Sequence, residues 1–104
     1  MENKILCDKN GIKIYEGECK KNIANGHGIL YKNGIKIFEG YFINGIPNIE
    51  GVLYKNGKMI YKGGFLNGAF HGKGMYISDN MVYIGQYNNG NNVDGLLYCV
   101  SNST

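Results

Sequence analysis

Hydrophobic and polar residues alternate over short stretches of this chain, and glycine-bearing pairs interrupt the alternation at regular intervals. Around Tyr15 one side of an extended strand presents Tyr15, Gly17 and Cys19, while the other presents Ile14, Glu16 and Glu18. The pattern returns as Phe38, Gly40, Phe42, then Tyr61, Gly63, Phe65, then Tyr83, Gly85, Tyr87, at steps of 23, 23 and 22 residues. Alternation with period two in stretches rich in Ile, Val, Tyr and Phe predicts strands, and no stretch has helical periodicity. A second phrase follows each first one, as Gly28-Ile29-Leu30-Tyr31, Gly51-Val52-Leu53-Tyr54, Gly74-Met75-Tyr76-Ile77 and Gly95-Leu96-Leu97-Tyr98.

The segments between strands read as turns. Asn33-Gly34 and Asn56-Gly57 suit two-residue type I′ turns, which need positive φ at both central positions, so Gly57→Val is expected to break one. The other connection of each unit reads as a wider loop, as in Asn67 to Gly72, and Ile46-Pro47-Asn48 stiffens its counterpart. A short unit recurring at fixed period cannot bury its apolar face alone and must stack on its neighbours. The expected fold is all-β: an elongated antiparallel β-meander of stacked β-hairpins, with about nine strands. At ~4.8 Å between strands it would be on the order of 40 Å long. A single domain of residues 1–104 is expected, with a half unit at 1–11 and units at about 12–34, 35–57, 58–80 and 81–100. The polar Ser101-Asn102-Ser103-Thr104 would cap one end.

Glycine in a strand leaves room for a neighbouring ring to lie across the backbone, which gives the aromatic-Gly-aromatic phrase a physical purpose. The units are not perfect copies. Gly26 and Gly72 are matched by Ile49 in the second unit and Val93 in the fourth, which is one residue shorter.

Composition narrows the functional classes. Seventeen glycines without a three-residue period exclude collagen, and 43% hydrophobic residues argue against disorder. The net charge is +3, and all eleven basic residues are lysines. Without arginine, the usual bidentate reader of bases and phosphates, nucleic acid is not an expected partner. Three cysteines (Cys7, Cys19, Cys99) without CxxC spacing imply a reducing compartment, and Cys19 replaces a ring as a small buried hydrophobe. With no apolar run of membrane-spanning length, the expectation is a cytoplasmic protein, peripheral to a membrane at most.

With its units aligned, the chain resembles the MORN repeat family. The unit Tyr61-Lys62-Gly63-Gly64-Phe65-Leu66-Asn67-Gly68-Ala69-Phe70-His71-Gly72-Lys73-Gly74-Met75-Tyr76 keeps every signature position. The first unit keeps Tyr15, Gly17, Gly26, Gly28 and Tyr31 but has Cys19 and Asn22 in place of an aromatic and a glycine, and the second begins with Phe38. The likeness spans four units over residues 12–100 and extends to the variant repeats of small bacterial antitoxin-like proteins. It implies an elongated meander used for protein scaffolding, for homodimerisation or for contact with phospholipid headgroups.

No catalytic constellation emerges from the residues. His27 and His71 occupy non-equivalent positions without acidic or cysteine partners in their motifs. Glu16 and Glu39 recur in register as exposed strand positions, and Glu50 adds no obvious pair. Gly72-Lys73-Gly74 lacks the following helix of a phosphate loop, and Ser78, Ser101 and Ser103 lack a base. No enzyme activity, cofactor or metal is therefore expected. The leading expectation is a protein-binding module that holds a protein partner or a second copy through its aromatic face or an open edge strand. Candidate contact residues are Tyr31, Tyr54 and Tyr98, with Tyr15, Phe38, Tyr61, Tyr83, Phe42, Phe65 and Tyr87, although for most of the latter a place in the fold's own core is the better expectation. An alternative is weak contact with anionic lipid through Lys32, Lys55, Lys58, Lys62 and Lys73 with exposed rings. A small-ligand or enzyme site formed between copies is a third possibility.

Overall fold

A computed structural model describes residues 2–99, which form nine strands in one sheet. They are β1 (Glu2–Cys7), β2 (Lys13–Lys20), β3 (Ile23–Lys32), β4 (Ile35–Ile43), β5 (Ile46–Lys55), β6 (Lys58–Leu66), β7 (Ala69–Ser78), β8 (Met81–Asn88) and β9 (Asn91–Cys99). Each strand pairs antiparallel with the next in sequence, so the sheet is an open meander. It measures 45 × 31 × 17 Å. The tail segment Ser101–Thr104, expected to act as a cap, lies outside the described residues.

The turns follow from residues that tolerate left-handed backbone. Asn33-Gly34 and Asn56-Gly57 have positive φ at both positions, as the hairpin reading requires. On the opposite long edge the expected wide loops are absent. Two-residue turns stand there instead at Lys21-Asn22, Asn44-Gly45, Asn67-Gly68 and Asn89-Gly90, again with positive φ throughout. Residues 69–72 and Ile46-Pro47-Asn48 belong to β7 and β5. The extra residues are absorbed inside the hairpins by bulges, for example between Gly40 and Phe42 and between Gly63 and Phe65. Gly26 and Gly72 take positive φ within these bulges, and so does Ile49 at φ 67°.

These turns also tie units together. The amides of Gly45, Gly68 and Gly90 each donate to a carbonyl of the preceding unit, at Ala24, Pro47 and Phe70, all at 2.8 Å. The Asn-Gly phrase thus closes one hairpin and docks on the previous one.

The core is a ladder of rings on one face. Tyr15, Cys19, Phe38, Phe42, Tyr61, Phe65 and Tyr87 are buried, with Leu30, Leu53, Phe70 and Tyr83 packed against them. Edge-to-face contacts run unbroken from Tyr15 to Phe42, Phe38, Phe65, Tyr61, Tyr87 and Tyr83, with centroids 5.1–5.5 Å apart. Such pairs contribute roughly 0.5–1.5 kcal/mol each beyond area burial. All seven rings come from β2, β4, β6 and β8, so each must reach across an intervening strand.

Glycine makes that reach possible. A Cβ on Gly28 would collide with the Tyr15 ring, one on Gly51 with Phe38, and one on Gly74 with Tyr61. Glycine faces glycine in seven consecutive strand pairs, from Gly17↔Gly28 to Gly85↔Gly95. The result is a bare column across the sheet that the rings cover.

Candidate interaction surface

The ring ladder leaves little of itself for a partner. Of the aromatic candidates, Tyr15, Phe38, Phe42, Tyr61, Phe65 and Tyr87 are buried and Tyr83 is half-buried. The Tyr15 and Tyr61 hydroxyls donate to the carbonyls of Glu18 (2.7 Å) and Gly64 (2.8 Å), three residues on, at the bulges. Burial pushes the pKa of both phenols up to about 12, with Cys19 and Glu18 adding to the effect at Tyr15 and Tyr87 at Tyr61. Tyr31 and Tyr54 lie half-buried on the outer face, each under a lysine ammonium: Lys13 at 4.3 Å and Lys36 at 4.5 Å from the ring centroid. Those lysines also bind Glu16 (3.1 Å) and Glu39 (3.0 Å), so each ring belongs to a Lys-Glu-Tyr group. Tyr98 is 48% exposed on β9.

The polar candidates are held in structural roles. Glu18 accepts from the His27 amide at 2.7 Å, and the His27 ring packs edge-on against Tyr41. His71 Nδ1 accepts from the Asn89 amide at 3.3 Å, which fixes the last turn to β7. Glu50, Lys62 and Lys73 line a shallow outer-face groove of about 430 Å³ together with Glu39 and the Gly63-Gly64 backbone. Among the described residues no three His, Cys, Asp or Glu side chains are close enough to share a metal ion. No described helix is long and apolar enough to cross a membrane. Ser101 and Ser103 lie outside the described residues.

Four exposed lysines, Lys9, Lys32, Lys55 and Lys58, collect along one turn edge of the sheet, because each flanks a turn on that side. Lys62 and Lys73 stand apart from them on the outer face.

Both edge strands expose aliphatic side chains, Ile5 on β1 being 60% exposed, but they differ on the inward face. In β1, Lys4 stands opposite Gly17, in the glycine column, and bonds Asn22 at 2.8 Å with Glu2 beside it at 3.8 Å. A charge set into the inward face blunts an edge against further pairing. In β9 every residue is exposed, and Gly95 occupies the column. Val93, Leu96 and Leu97 are 61–63% exposed, whereas Leu30 and Leu53, which hold Leu97's place in earlier units, pack against the core. The difference is one strand: Leu30 and Leu53 face Phe38 and Tyr61 across the next strand, and among the described residues nothing follows β9. Sequence reasoning named an open edge but not these three residues. For Leu96 and Leu97 the signal lies in strand order, since positions that are apolar in every unit lose their cover in the last one, whereas Val93 stands where two other units carry glycine.

A search among curated proteins finds no match to this chain. The family model described as MORN repeat matches residues 15–36 and 61–80. Those segments begin at Tyr15 and Tyr61, whose rings cross the glycine column and whose hydroxyls secure the bulges, as that of Tyr83 does in the last hairpin. Hairpins β4–β5 and β8–β9 carry the same glycine pairing between and after them. Matched sequence and hairpin geometry together identify MORN repeats at residues 15–36 and 61–80 of this chain.

Proposed function

We propose that the chain is a non-enzymatic interaction module that takes a protein partner by strand addition at β9. MORN repeats are in general protein- or membrane-interaction modules and typically non-enzymatic, which supports this reading. The observation that carries the reading is the contrast between the ends. The edge at β1 is guarded by Lys4, and β9 offers Val93, Leu96 and Leu97 uncovered. An added strand gains main-chain hydrogen bonds for affinity and side-chain alternation for specificity.

Affinity capture from the native host tests it, comparing the native chain with Leu96→Lys/Leu97→Lys and with Tyr31→Ala/Tyr54→Ala. The β9 variant is expected to lose the partner and the outer-face variant to keep it. The reverse pattern would move the site to the outer face.

A second reading has one specific support, the row of Lys9, Lys32, Lys55 and Lys58 along a single edge. Each lysine near an anionic membrane gains about 1 kcal/mol. Flotation with vesicles containing phosphatidylserine, at low and high salt, separates the two readings. Recovery at low salt that disappears in a Lys32→Gln/Lys55→Gln/Lys58→Gln variant would favour a lipid surface.

A further inference from the structure

The ring face ends in a cleft of about 360 Å³ between β7, β8 and β9. Tyr76, Tyr83 and Tyr87 line it together with Leu97, Ser78 and Asn92. Earlier units are built differently at these places. Tyr76 replaces Leu30 and Leu53, and Tyr87 replaces Cys19, Phe42 and Phe65. Beside the turn, the pairs Lys32↔Ile35 and Lys55↔Lys58 give way to Ser78↔Met81. The same backbone therefore carries more phenol and less charge at this end.

Tyr87 is the residue that points to a ligand. It is 8% exposed, and its hydroxyl has no hydrogen-bond partner among the described residues. No fully enclosed side-chain nitrogen or oxygen is left unpaired there, so this hydroxyl opens on the cleft. Burial, with the Tyr83 and Tyr76 phenols nearby, raises its pKa and keeps it a neutral donor. Phe42 and Phe65 fill the same place without a polar atom, so packing does not require one. Tyr83 supplies an apolar wall. Tyr15, Phe38 and Tyr61 are each met edge-on by a ring of the following unit, at Phe42, Phe65 and Tyr87. Among the described residues no ring takes that place against Tyr83, which meets Tyr87 alone, at 5.4 Å and 79°.

The lining selects the occupant. Among the described residues no charged side chain contributes to it, so a phosphate finds no lysine there. A quaternary ammonium would find rings but no carboxylate, on a chain whose net charge is already +3. Tyr83 and Tyr87 stand nearly perpendicular, which denies a flat heteroaromatic its sandwich. The phenol and serine hydroxyls and the Asn92 amide both donate and accept. These features match a neutral molecule with hydroxyls around its rim and one face of C–H groups, which suits the negative face of an aromatic ring. We propose that the cleft is a binding site for a neutral pyranose sugar, its C–H face on Tyr83 and its hydroxyls on Tyr87, Ser78 and Asn92. The site lies within one chain and does not depend on strand addition at β9.

Amide chemical-shift mapping by NMR with cellobiose, lactose and maltose, each at about 20 mM, tests the site. At least one sugar should shift Tyr76, Tyr83, Tyr87 and Asn92 saturably, while Tyr31 and Tyr54 on the outer face stay unchanged. An open cleft holds a single ring weakly, with Kd on the order of 1 mM. Tyr87→Phe removes one hydroxyl and should weaken binding about fivefold. Tyr76→Leu removes one aromatic wall and should weaken it about tenfold. Both substitutions restore residues that earlier units already accommodate, and circular dichroism confirms that the sheet stays folded. Sorbitol, which has hydroxyls but no ring face, should leave the spectrum unchanged. Silence from all three sugars overturns the site, as does binding indifferent to both substitutions. An equal response to sorbitol, or a response to choline chloride or adenosine alone, overturns the sugar as occupant.

Discussion

Ile49 holds a position that the other full bulges give to glycine. Its φ of 67° is left-handed, a conformation that costs an L-residue roughly 1–2 kcal/mol, and the side chain is 56% exposed. Ile49→Gly therefore relieves strain with little packing lost. After the added unfolded-state freedom of glycine, it should stabilise the protein by about 0.5–1 kcal/mol in urea unfolding. The sequence showed that Ile49 breaks a glycine pattern, but not what the pattern was for. Backbone sign at a bulge is invisible until the register of both strands is known.

The buried phenols give a second test at this scale. Tyr15 and Tyr61 ionise near pH 10 in the unfolded chain and at about 12 when folded, burial being the main cause. A raised folded pKa contributes stability in full below pH 10 and loses it as pH climbs towards 12. Alkaline titration followed by tyrosinate absorbance should show an exposed class ionising first. A second class should ionise together with loss of the β-sheet circular dichroism signal. Tyr15→Phe/Tyr61→Phe should reduce that second class.

At the scale of the strand, the bare column explains why glycine can be abundant without making the sheet weak. Gly74→Ala would drive a methyl into the Tyr61 ring, which Phe65, Phe70 and Tyr87 hold in place. We expect a loss of about 1–3 kcal/mol, typical of overpacking. Gly57→Ala meets no atom within 4 Å but sits at φ 79°, so its cost of about 1–2 kcal/mol comes from backbone alone. Replacing Tyr61 by Leu should soften the first substitution and leave the second unchanged in a double-mutant comparison. Strand positions, faces and the hairpin at Asn56-Gly57 were legible because period two and Asn-Gly chemistry are local. The two-residue turn at Asn67-Gly68 was not, since the residues after it look like loop until a bulge absorbs them.

At the scale of the molecule, the aromatic phrase that stood out in the sequence turned out to lie mostly inside. Tyr61 and Phe38 are fully enclosed, and the most exposed apolar side chains include less conspicuous residues, Val93, Leu96 and Leu97. Nothing in their identity marks them. What marks them is that Leu30 and Leu53 have a covering strand and Leu97 has none among the described residues. Edge exposure is a property of topology and emerges only after strand order is fixed.

Amide hydrogen exchange across residues 2–99, with and without the protein captured from the host, tests the β9 edge most directly. Protection should rise in β9 when the partner is bound, while the Lys4-guarded β1 stays unchanged. Equal exchange of β9 in both samples, or protection gained instead along the outer face near Lys62 and Lys73, would contradict an interaction edge at β9.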